Sequence, residues 1–191
     1  MKQRSLSIFL VLALCLTLLP TAALASEPGE EQHTGHCICG AATHQSVGDH
    51  DTDASNTITW NPVSQLSAIS DNGYYYLTGD VNRTSLGWKV PAGKNITICL
   101  NGHTITSNAS SSITVPAGSI LTVTDCKGTG AITNTNRRSV SGDIVDVSGT
   151  FNLYAGSIDG QKLDQSEEGA CQLGVRVASG ATFNMYGGSI T

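Results

Sequence analysis

A returning tetrapeptide constrains this chain more than any other feature. Val90-Pro91-Ala92-Gly93 reappears 25 residues later as Val115-Pro116-Ala117-Gly118. Phe151-Asn152-Leu153-Tyr154 reappears 32 residues later as Phe183-Asn184-Met185-Tyr186. Ala155-Gly156-Ser157-Ile158 is matched by Gly187-Gly188-Ser189-Ile190. Repeats of 20–50 residues mark solenoids or propellers, in which each unit buries its apolar face only against the next.

The repeats fit one template. A short strand of the form apolar-x-Val comes first: Trp88/Val90, Ile113/Val115, Val145/Val147 and Val175/Val177. A glycine follows at 93, 118, 149 and 180. A second strand carries two inward apolar residues: Ile96/Ile98, Leu121/Val123, Phe151/Leu153 and Phe183/Met185. A third strand closes the unit at Ile105, Ile132, Ile158 and Ile190. The second strands begin at 96, 121, 151 and 183, so the spacing varies while the strand pattern stays constant. That combination predicts loops inserted at the corners of a regular coil. Three short strands per turn, apolar inside and Thr, Ser and Asn outside, predict an all-β, right-handed parallel β-helix of about four rungs. A propeller blade needs about 40 residues and four strands, more than these periods supply. A β-sandwich is the competing fold, because it too has short, regularly spaced strands.

Composition agrees. Ser, Thr and Asn number 21, 21 and 11 of 191 residues, against five Lys and five Glu, which disfavours helical bundles. A net charge of −5 disfavours nucleic-acid binding. Residues 1–25 read as a signal peptide: Lys2 and Arg4, an apolar run from Ile8 to Leu19, and Ala23-Leu24-Ala25 as the cleavage site. The apolar run is short for a membrane anchor and is interrupted by Pro20. Removal of this leader leaves eight basic and fifteen acidic residues, a net charge of −7. The expected product is secreted or cell-surface, with no membrane span in the mature chain. Its segments are a Cys/His-rich lead-in (26–56), an N-terminal cap (57–87) and the rungs (88–191). The sequence stops inside a third strand without a polar cap, so the coil is expected to continue or to be covered by another chain.

At this point the chain resembles a known group. The runs LTGDV, VPAGKNITICLNGHTIT, LTVTDCKGTGAIT and FNMYGGSIT are similar to bacterial surface proteins with pectin-lyase-like right-handed β-helices, many of them adhesin-like. The HCICG segment resembles the lead-in of such proteins. The resemblance covers about residues 33–191 and implies fold and location, with little about activity.

Four of the five histidines, His33, His36, His44 and His50, surround Cys37 and Cys39. These are the ligand types of a Cys₂His₂ zinc site, and Gly40 would allow a tight turn around the ion. The expected ligands are Cys37, Cys39, His44 and His50, with His36 as alternate. The Cys-x-Cys spacing is shorter than usual for zinc, and a disulfide or reactive pair at Cys37/Cys39 is the alternative. A segment so poor in apolar residues needs a staple, so the zinc is read as structural. Cys99 and Cys126, each six residues before a third-strand Ile, are expected on adjacent rungs. They are candidates for a disulfide or for an unbridged stack.

No catalytic residues are assigned. Asp143, Asp146 and Arg176 form the one acid/base concentration in the coil, but residues three apart in a plain strand face opposite sides. Arg176 is expected to pair with Asp146 across rungs. His103 reads as a turn residue. The expected role is a non-catalytic module for adhesion or display, meeting glycans or host and cell-surface proteins. The alternatives are the front of a polysaccharide lyase or glycosidase, and a structural stalk.

Overall fold

A computed structural model describes residues 33, 35–40, 58–83, 86–136, 143–160 and 173–191. Strand β1 (Asn61–Val63) is followed by a 3-10 turn at Leu66–Ala68, then β2 (Gly73–Leu77) and β3 (Val81–Arg83). Four strand triplets come next. The first is β4 (Trp88–Lys89), β5 (Asn95–Cys99) and β6 (Thr104–Ser107). The second is β7 (Ser111–Val115), β8 (Ile120–Thr124) and β9 (Ala131–Asn134). The third is β10 (Asp143–Val147), β11 (Thr150–Leu153) and β12 (Ser157–Gly160). The fourth is β13 (Leu173–Val177), β14 (Thr182–Met185) and β15 (Ser189–Ile190).

Each member of a triplet joins a different parallel sheet. The orders are β1-β2-β5-β8-β11-β14, then β4-β7-β10-β13, then β3-β6-β9-β12-β15. Three parallel sheets built from successive triplets make a parallel β-helix and exclude the sandwich. Within the segment read as a cap, β2 and β3 already pair in register with β5 and β6. Leu66, Ile69, Leu77 and Val81 extend the core at that end.

The inward columns follow the template. Ile96, Leu121, Phe151 and Phe183 are register partners along one sheet. Val115, Val147 and Val177 align along the second, with Val90 buried at its head. Ile105, Ile132, Ile158 and Ile190 align along the third. Ile96, Leu121 and Phe151 are fully buried, and the Phe151 and Phe183 rings stack 5.3 Å apart. Each such side chain contributes about 1.5–3 kcal/mol on leaving water. In the fourth rung Val177, Met185 and Ile190 are exposed.

The corners make one distinction that the repeat alone conceals. Gly93, Gly118 and Gly180 have φ between 72° and 80°, the left-handed region in which glycine is favoured. Gly149 occupies the same place in the template without a positive φ. A Cβ there would strike the carbonyl oxygens of Ser119 and Pro116, so its glycine is required by close approach of the neighbouring rung.

Outside the coil, Thr97, Thr122, Asn152 and Asn184 form one registered column. Asn184 Nδ2 donates to Asn152 Oδ1 (2.9 Å), and Asn152 Nδ2 donates to Thr122 Oγ1 (3.1 Å). On the second sheet Arg176 lies opposite Asp146, as expected from their rungs. One sequence expectation fails here. Asp143 and Asp146 do not face apart: Arg176 Nε reaches Asp143 Oδ2 at 2.7 Å, while its Nη2 reaches Asp146 Oδ1 at 2.8 Å. Asp143 is the first residue of β10, where the side chain is not held to the strict alternation of a strand interior.

Candidate metal centre

Strand alternation decides where the site lies. Ile96, Ile98 and Leu100 belong to the core, so Thr97 and Cys99 between them face outward. Cys99 is nevertheless fully buried. What covers it is the lead-in, which lies across the outer face of β2, β5 and β8. His33 stacks on Tyr76, the register partner of Cys99, with centroids 4.1 Å apart and planes 8° from parallel. Gly40 sits over Thr124, the next partner of Cys99 in the ladder.

Local chemistry holds the lead-in in this place. His36 forms an isolated antiparallel bridge with Ile58, whose N–H donates to the His36 carbonyl at 3.2 Å. Trp60 Nε1 donates to the same carbonyl at 3.1 Å, and its indole lies 4.5 Å from the His36 ring. Cys37 through Gly40 then turn back, with Gly40 N–H donating to the Cys37 carbonyl at 2.9 Å. Gly40 has φ +86°, which is the tight turn read from the sequence.

Four potential ligand atoms converge beneath this turn. His33, His36, Cys99 and Cys126 each present one, and all lie within 4.8 Å of one another. The two Sγ atoms are 3.5 Å apart, and the two Nε2 atoms 3.1 Å apart. Bonds of about 2.3 Å to sulfur and about 2.0 Å to nitrogen give a tetrahedron with edges of about 3.3–3.8 Å. The sulfur–sulfur and nitrogen–nitrogen separations are near those edges, and the others are no more than 4.8 Å. The other nitrogen of His36, Nδ1, is 2.6 Å from the Cys37 carbonyl oxygen. Only a protonated Nδ1 can make that bond, so the neutral ring directs its lone pair at Nε2 into the cluster. The group is within metal-binding distance and fits a structural metal site.

The electrostatics favour ligands over bases. The hydrogen bond from the Cys99 thiol, with the facing His36 and His33 rings, pulls Cys126 down to about 4. Cys99 moves the other way, driven up by its hydrogen bond to that sulfur and by burial. Burial holds His33 below its ordinary value, favouring the neutral ring. In the geometry, the Cys99 thiol donates to the Cys126 sulfur, and the Cys126 thiol donates to Asn101 Oδ1 at 3.6 Å.

This set differs from the one read from the sequence. Of Cys37, Cys39, His44 and His50, the structure describes only the two cysteines: Cys37 is buried and Cys39 half-buried. His44 and His50 lie outside the described residues, so that quartet is neither assembled nor excluded. His36, the alternate, does take part. Cys99 and Cys126 do lie on neighbouring rungs, but as thiols and not as a disulfide. Cys99 pairs with Thr124 in the ladder, so Cys126 is two residues past the strict partner position. His33 belongs to the histidine cluster of the sequence but not to the expected ligand set. Its one signal was the His33-x-x-His36 spacing.

Other candidates resolve structurally. Asp125 is buried and accepts from the N–H groups of Gly102 (2.7 Å) and Gly130 (2.6 Å), which fixes the corner after β8. His103 Nδ1 is 3.4 Å from Asp80 Oδ1 at a neighbouring corner. No helix among the described residues is long and apolar enough to cross a membrane. The chain matches no protein-family model, no curated protein and no solved structure.

Proposed function

We propose that the chain is a non-catalytic β-helix module, exported and displayed at or beyond the cell surface, that contacts glycans or proteins through its outer sheet faces. One observation carries this reading. On the outer face of the longest sheet the half-buried Asn152 and Asn184 extend the column beyond the buried Thr97 and Thr122, and their amides form a neutral hydrogen-bonded file along the later rungs. Neutral hydroxyl and amide rows repeated at about 4.8 Å suit weak, multivalent contact with sugar hydroxyls or extended peptide. The His/Cys cluster supports the same reading, because four protein ligands complete a tetrahedron and leave no position for substrate. Export rests on the leader at residues 1–25.

Retention of the purified protein on immobilised polysaccharides tests the reading. Binding should weaken in Asn152→Ala and Asn184→Ala while the coil's circular dichroism stays unchanged. Unaltered retention in both variants, or no retention on any glycan or surface protein, removes the support. Cleavage after Ala25 is tested by N-terminal sequencing of secreted material.

A second reading, the front of a polysaccharide lyase or glycosidase, is favoured by the convergence of Asp143 and Asp146 on Arg176. Two carboxylates and a cation on one face are the raw material of such a site. Against it, Arg176 occupies both carboxylates, and Asp143 is only 8% exposed. Turnover of acidic or neutral polysaccharide that disappears in Asp146→Ala and Arg176→Ala would replace the display reading with this one.

A further inference from the structure

We propose that His33 Nε2, His36 Nε2, Cys99 Sγ and Cys126 Sγ bind one Zn²⁺, and that this ion fastens the lead-in to the outer face of the first two full rungs. The proposal goes beyond the display reading and does not depend on it. It rests on the convergence of four ligand atoms from three parts of the chain. His33 and His36 come from the lead-in, Cys99 ends β5, and Cys126 follows β8 one rung on.

The donor set selects the ion. Two sulfurs and two imidazole nitrogens in a tetrahedron suit zinc, whereas calcium and magnesium need six or more oxygen ligands in wider cages. Charge agrees as well. With both sulfurs deprotonated, two thiolates balance the dication, and a neutral site is what a buried position tolerates. Binding displaces the thiol protons of Cys99 and Cys126, which pass to solvent. The rings are also held for the task. Tyr76 lies flat against His33, while Trp60 and the Cys37 carbonyl hold His36. Such outer contacts fix the orientation of ligating histidines.

The consequence is mechanical. A backbone bridge between His36 and Ile58 ties the lead-in to the chain beyond it. Ring stacking on Tyr76, the Trp60 hydrogen bond and the Gly40 turn add to it. A metal bonded to residues from both sides joins segments more than sixty residues apart in sequence. Docking of the lead-in over Cys99 and binding of zinc are then one equilibrium.

The test uses the full chain, purified under reducing conditions with zinc and then dialysed. Elemental analysis should find one zinc per chain. Co²⁺ substitution should give the strong visible bands of a tetrahedral ion and a near-ultraviolet thiolate charge-transfer band. Zinc should fall from one per chain to none in the Cys99→Ser, Cys126→Ser double variant and in His36→Ala. It should be kept in the Cys37→Ser, Cys39→Ser double variant, which separates this set from a site built on those cysteines. Chelation should shift the emission of Trp60, measured in a Trp88→Phe background, while circular dichroism reports the coil intact. Zinc retained without Cys99 and Cys126 overturns the proposal. So does wild-type protein with no zinc, or a Co²⁺ spectrum lacking the thiolate band, and these two results do not depend on any variant folding. A metal that binds without moving Trp60 emission overturns the fastening role.

Discussion

Energetic coupling in this coil should decay with the number of rungs between two residues. Leu121 provides the reference. It is fully buried, with Ile96 on one side and Phe151 on the other in strict register. Leu→Ala in a core costs about 2–5 kcal/mol, the upper values arising where the cavity cannot collapse. Its neighbours are held by ladders of their own, so Leu121→Ala is expected to cost about 3–5 kcal/mol. Phe151→Ala removes the facing wall of the same cavity, and a double-mutant cycle should show coupling of about 0.5–3 kcal/mol. Ile96 and Phe183 lie three rungs apart, about 14 Å at the strand spacing. Ile96→Ala and Phe183→Ala should therefore add to within about 0.5 kcal/mol. Urea unfolding followed by circular dichroism, with m-values compared across the four proteins of each cycle, measures both terms. Equal coupling in the two cycles would refute a core built from nearest-neighbour contacts. A Leu121→Ala cost below about 1 kcal/mol would refute the rigid cavity.

The two kinds of corner glycine should respond differently to alanine. Gly118→Ala, with φ +74° and open space around it, should cost about 1–2 kcal/mol in thermal melts. Gly149→Ala, which strikes two carbonyl oxygens of the preceding rung, should cost more than Gly118→Ala. Arg176→Met should lower the melting temperature, because it leaves Asp143 and Asp146 side by side without their cation. Lys89→Met, at the far end of the same outward column, should leave it unchanged. Zinc at 100 times its Kd should raise the stability of the wild type by about 2.7 kcal/mol in urea, and this increment should vanish in Cys126→Ser. Oxidised glutathione added to the metal-free protein should join Cys99 to Cys126, whose sulfurs are 3.5 Å apart, and peptide mapping should find that bond. The same treatment of the zinc-loaded protein should proceed more slowly.

The coil was legible because its information is local and repeated. Alternation placed Leu121 and Val123 inward within one strand. The recurrence of that phase at Phe151 and Phe183 then set the register between strands, since a slip of one residue turns every apolar side chain outward. The outward neighbours Thr122, Asn152 and Asn184 followed from the same phase, as did the pairing of Asp146 with Arg176. Asp143 escaped the rule because it stands at a strand end, where the backbone no longer dictates which side a side chain takes. The metal cluster escaped for a different reason. Ligand spacing within the lead-in directs attention to Cys37, Cys39, His44 and His50, all near one another in sequence. His33 and His36 meet Cys99 and Cys126 only because the lead-in folds back across β5 and β8, with Tyr76 and Trp60 supplying the ring surfaces it rests on. The rungs set the two cysteines on neighbouring turns. Only the tertiary docking of a separate segment determines that two imidazoles arrive opposite them, because those contacts carry no period and no short-range spacing from which they could be read.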